Sequence, residues 1–172
     1  MRRNIVFTLM VIVCFILQST LFKSLSFGGI SPNLLIIVTS AFGFMRGKKA
    51  GLSIGFFCGL LQDIFFGQAI GFYALIYMYI GFTNGIFNRF FYQEDIRMPL
   101  ALISISDLAY SMICYVLLFL LNAKFNFGYY FKHIIMPEVV YTILITIIIY
   151  PVILLIHKSL EKKEKRSEKK FV

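Results

Sequence analysis

The chain has 172 residues, a hydrophobic fraction of 59% with 20 Phe and 10 Tyr, and a formal net charge of +9. A soluble domain of that length cannot bury so much apolar surface, so lipid must cover it. The positive charge does not indicate nucleic acid, because the bases flank apolar segments and seven of the 17 Lys and Arg lie between Lys158 and Lys170.

Six apolar segments follow in order: Ile5–Phe22, Pro32–Met45, Ala50–Phe66, Ile70–Phe91, Pro99–Leu121 and Ile134–His157. Most approach the ~20 residues needed to cross a bilayer, the second being short and the third borderline. The first opens with Arg2 and Arg3, as a signal peptide does. No small-x-small cleavage site follows and the apolar run continues through Leu21 and Phe22, so it reads as an uncleaved transmembrane helix.

Orientation follows from the bases. With the N-terminus inside, the inner side holds Arg2, Arg3, Arg46, Lys48, Lys49, Arg89, Arg97 and the seven bases of the tail, 14 in all, against Lys23, Lys124 and Lys132 outside. The bias keeps its sign without the tail, so both termini are placed in the cytoplasm and the number of spans is even. The predicted architecture is an all-α integral membrane protein. A six-helix transmembrane domain covers residues 1–157, and a basic cytoplasmic tail covers 158–172.

The third segment reads AGLSIGFFCGLLQDIFF. Gly51, Gly55, Gly59 and Asp63 recur every fourth residue and so share one helix face. Glycines at that spacing let another backbone approach closely in a membrane. This face is therefore the expected helix-packing or partner-binding surface, with the acid turned toward protein. Asp63 lies about 20 Å along its helix at 1.5 Å per residue, in the outer part of the bilayer. Two readings of it stand: an acid hydrogen-bonded between helices, or a contact for a partner or substrate.

Asp107, Glu138, Tyr141 and Thr142 are the candidates for pocket or polar contacts. Asp107 sits nearer mid-depth, with Ser104 and Ser111 at i−3 and i+4 offering hydroxyls, and its structural reading is favoured. Glu138 follows Pro137 at the expected start of the sixth helix, in the same outer layer as Asp63, where a capping role suits both residues. Tyr141 and Thr142 share its face as hydrogen-bond partners. The connection Asn122–His133 carries Phe125, Phe127, Tyr129, Tyr130 and Phe131, an aromatic cluster suited to the headgroup boundary. The tail KSLEKKEKRSEKK has no hydrophobic stripe and reads as a solvated or lipid-surface segment, a cytoplasmic docking site being the sharper alternative.

Cys14, Cys58 and Cys114 lie inside apolar runs without CxxC spacing and read as small buried hydrophobes. His133 and His157 lie at segment ends. No GxSxG, HExxH or Walker motif is present. No catalytic residue, metal or cofactor is expected, and an enzyme is disfavoured.

The ordered motifs carry a resemblance. LQSTLF (Leu17–Phe22), SPNLLIIV (Ser31–Val38), the Gly51–Asp63 run ending GLLQD, Gly67, Gly71, Gly81, Gly85 and PEVVYT (Pro137–Thr142) together resemble the MreD family of rod shape-determining proteins. The resemblance covers nearly the whole chain and rests on the order of individually weak motifs. It implies a non-enzymatic scaffold in the cytoplasmic (inner) membrane, part of the bacterial cell-elongation machinery and needed for rod shape and lateral peptidoglycan synthesis. The partners it implies are MreC first, with MreB, RodA and a class B penicillin-binding protein in the same complex. It also implies a fold similar to the substrate-binding subunits of energy-coupling factor transporters. From that similarity comes the alternative, a small-molecule- or lipid-binding subunit of a transporter, with Asp63 and Glu138 lining an outward-facing pocket.

Overall fold

The computed structural model describes residues 2–26, 29–67, 70–90, 96–122 and 127–168. The regular elements among them are helices. α1 (Arg2–Leu17) runs into a π turn (Gln18–Phe22), and α2 (Leu34–Arg46) and α3 (Lys48–Phe66) follow. α4 (Phe72–Ile86) ends in a 3-10 turn (Phe87–Phe90), before α5 (Arg97–Asn122). The last run joins α6 (Phe127–Tyr130), a π turn (Phe131–Ile135) and α7 (Met136–Glu168). Among the described residues, four stretches are long and apolar enough to cross a membrane: Ile5–Phe22, Lys48–Phe66, Arg97–Leu117 and Phe127–Lys162. The chain is a multi-pass membrane protein by length and composition of its helices.

α2 is the hub. Every residue from Leu34 to Met45 is buried, and α2 contacts α1, α3, α4, α5 and α7. A helix that is apolar all round belongs in a core. Its 13 residues span about 20 Å, short of the ~30 Å hydrocarbon thickness. Because protein rather than lipid surrounds it, that shortfall carries no exposed backbone. The outer helices turn apolar side chains outward instead. Val140, Leu144, Ile148, Val152 and Leu155 on α7 are each more than half exposed, as are Ile5, Leu9 and Ile16 on α1.

Backbone contact, rather than side-chain interdigitation, joins α2, α3 and α4. A Cβ on Gly51 would overlap the Gly81 carbonyl, and one on Gly81 would overlap the Gly51 carbonyl. A Cβ on Gly43 of α2 would sit 2.5 Å from the same Gly81 oxygen. Gly55 lies against the backbone of Tyr77 and Gly59 against that of Ala74. Such close approach is how membrane helices associate when lipid removes the hydrophobic incentive.

The last helix departs from the sequence reading. Phe127 through Ile135 are helical, so the run to α7 begins well before Ile134, while residues 123–126 lie outside those described. Pro137 therefore sits within a helical run and does not start one. A π turn immediately precedes it, and local widening of this kind is a usual way to accommodate a missing amide donor. α7 also continues past His157 to Glu168, so the first part of the basic tail is helical.

Candidate functional site

Polar side chains are few in so apolar a chain, and they gather in two layers. The first lies at the end of the bundle where α1 finishes and α2 begins. Asp63, 2% exposed at the end of α3, accepts three backbone amides from the next helix. Its Oδ2 takes the Gly71 and Ala74 amides, each at 3.0 Å, and its Oδ1 takes the Tyr73 amide at 2.8 Å. The first turn of a helix leaves its amides without intrahelical acceptors. The N-cap of α4 is Gly71, which turns the chain at φ 103 and brings no capping side chain of its own. The carboxylate of α3 supplies what Gly71 lacks, and it meets the positive end of the α4 dipole.

The start of α2 is capped in the same way by its neighbours. Asn33 Oδ1 accepts the Ile36 amide at 3.3 Å and the Tyr77 hydroxyl of α4 at 3.0 Å. Gln18, in the π turn after α1, accepts the Leu35 amide at 3.1 Å. The Asn33 amide itself donates to Thr142 Oγ1 of α7 at 3.2 Å. Four helices thus meet at one helix N-terminus.

Beside this cap, α5 faces α7 with a second pair of acids. Ser111 Oγ donates to Glu138 Oε2 at 3.2 Å. Asp107, fully buried one turn away on α5, faces the Thr142 hydroxyl without closing a hydrogen bond of regular geometry at either oxygen. The serines predicted to serve Asp107 are spent elsewhere, Ser104 on the Leu100 carbonyl at 2.7 Å and Ser111 on Glu138. Glu138 does not cap α7, because the helical run begins before it. Tyr141 turns toward α1, its ring edge-on to Phe22 at 6.3 Å.

The second layer ties α4 to α2 and α5. Asn84 Nδ2 donates to the Ile80 carbonyl at 2.8 Å and to Ser106 Oγ of α5 at 2.7 Å, with Ser40 of α2 at 3.4 Å. Asn88 Nδ2 donates to the Phe44 carbonyl at 2.7 Å. Buried polar groups in a membrane favour such partners, and the Nδ2 groups of Asn84 and Asn88 find them across helices. Beyond this layer a groove of about 1040 Å³ opens between α1 and α3, with Arg46, Lys49, His157 and Glu161 at one end. Asp63, Asp107 and Glu138 do not line it.

The glycine–Asp63 face is turned entirely to α4 and α2 of the same chain, while Asp107, Glu138 and Thr142 converge between α5 and α7. Asn33, Gln18, Tyr77 and Asn84 were not singled out from sequence. The signal for Asn33 was legible: a residue type favoured at N-caps directly precedes an apolar run. Among the described residues no three His, Cys, Asp or Glu side chains cluster as a metal site would require.

A family model described as rod shape-determining protein MreD matches residues 1–160. No curated protein and no solved structure matches the chain.

Proposed function

On the premise that the chain belongs to the MreD family of rod shape-determining proteins, we propose that it is a non-enzymatic scaffold of the cell-elongation machinery, supporting lateral peptidoglycan synthesis. The family assigns it a role in determining rod shape. In this reading it sits in the cytoplasmic membrane with six spans, α2 and α4 joining the four longer ones, and both termini in the cytoplasm. The distribution of bases supports that orientation. MreC is the proposed direct partner, with MreB, RodA and a class B penicillin-binding protein in the same assembly. The α7 extension would carry the basic tail along the cytoplasmic surface.

One observation carries the scaffold reading. The acid that looked most like a functional contact, Asp63, is spent on capping α4, and Gln18, Asn33, Asn84 and Glu138 link helices of this chain. Broad exposed apolar faces on α1 and α7 remain for lipid and partner helices.

The test combines Asp107→Asn with Glu138→Gln in cells lacking the native chain. A scaffold needs neither carboxylate as an acid, so rod shape and MreC co-purification are expected to persist. Loss of rod shape with normal accumulation and normal MreC retention would contradict the reading and favour a catalytic or solute-binding role.

A further inference from the structure

We infer that the groove between α1 and α3 is a binding site for one anionic phospholipid of the cytoplasmic leaflet. The two helices meet at one end, where Phe15 packs against Phe65 and Phe66 with ring centroids 5.0 and 6.0 Å apart. Toward the other end they part, leaving the space of about 1040 Å³. Its deep walls are apolar and bulky, with Val11 of α1 facing Phe57, Leu60 and Ile64 of α3. Among the described residues its mouth carries Arg46, Lys49 and His157 together with the acid Glu161. Arg46 is held over the Phe7 ring at 4.7 Å, which positions its guanidinium at the edge of the apolar wall.

Charge and wall shape select the occupant. From Lys49 to Ile64 the groove runs about 22 Å at 1.5 Å per residue. That length takes up most of α3, a helix long enough to cross a membrane, so the groove is open to lipid over most of one span. The orientation proposed above puts the basic mouth among cytoplasmic headgroups, where bases attract anionic lipid. A partner's spanning helix fits less well. The Phe15–Phe65 contact closes the far end against a second helix. Such a helix would also favour small-residue walls, which this groove lacks at depth. The inference takes its orientation from the preceding subsection but is independent of the scaffold role.

The test uses the purified full chain, in nanodiscs of phosphatidylcholine and phosphatidylglycerol, released and weighed by native mass spectrometry. The wild type is expected to retain one phosphatidylglycerol in preference to phosphatidylcholine. Arg46→Gln with Lys49→Gln should weaken that retention about 30-fold, on the usual strength of a base near an anionic surface. Ser53→Phe, which narrows the mouth at an exposed position and leaves both charges, should abolish it. Lys23→Gln with Lys132→Gln, at the opposite end, should leave it unchanged. Equal retention of both lipids by the wild type would overturn the inference, as would wild-type retention in the narrowed variant. In cells, a photo-crosslinking residue replacing Phe57 is expected to capture lipid. Capture of a protein there in place of lipid would overturn it as well. Shape rescue plays no part in these readouts, so failure here leaves the scaffold reading to its own test.

Discussion

The two sides of α3 are built on opposite principles. One side carries Gly51, Gly55, Gly59 and Asp63, and meets α4 backbone to backbone, ending in three amide hydrogen bonds to a single carboxylate. The other carries Phe57, Leu60 and Ile64, and meets α1 near its far end, with a groove alongside. Dispersion falls off steeply with distance, and a hydrogen bond in lipid has no water competing for it. The first side is therefore sealed by contacts that leave nothing room to enter. Bulky side chains on the second side hold the helices apart and leave space for a flexible chain. Helix identity alone does not decide which surface is interior; side-chain size on each face does.

Substitutions at four positions sharpen this contrast, in falling order of expected effect on thermal unfolding of the purified chain. Gly51→Leu inserts a side chain into the Gly81 backbone and should cost upward of about 3 kcal/mol, enough to prevent accumulation of folded protein. Ile37→Ala, in the fully buried hub helix, should cost about 2–5 kcal/mol if the cavity stays closed. Asp63→Ala strips the acceptor from three amides and should cost about 2–3 kcal/mol, whereas Asp63→Asn should recover part of that by keeping one oxygen. Leu60→Ala, on the groove wall, should cost below about 1 kcal/mol, because lipid can fill the space that truncation opens. A Leu60→Ala loss as large as that of Ile37→Ala would mean the groove is sealed core.

The sequence carried the outline of α3 well and its neighbours less well. Four-residue spacing of glycine and acid shows a shared face because helical geometry is local and periodic. What that face touches depends on the turn through Gly67 and Gly71, which folds α4 back along α3. Nothing in the spacing distinguishes that from docking on another protein. Asp63 was consequently legible as protein-facing but not as the cap of the following helix. Glu138 was misplaced because Pro137 is a usual helix starter, and a π turn that lets a helix run through proline has no plain sequence signature. Asp107 was assigned serines on its own helix, whereas the structure turns one of them to a carbonyl and the other across to α7. The α1–α3 groove was invisible in the sequence because it depends on the divergence of two helices.

The central claim is that the glycine face of α3 is interior to this chain and not a surface offered to a partner. Gly55→Leu, set beside Ser53→Leu on the exposed side, tests it by thermal unfolding and MreC co-purification from the same membranes. A side chain at Gly55 would run into the Tyr77 backbone. The account predicts that Gly55→Leu loses folding stability first, with partner association lost only as a consequence, while Ser53→Leu unfolds like the wild type. A Gly55→Leu protein that unfolds like the wild type yet no longer retains MreC would contradict it.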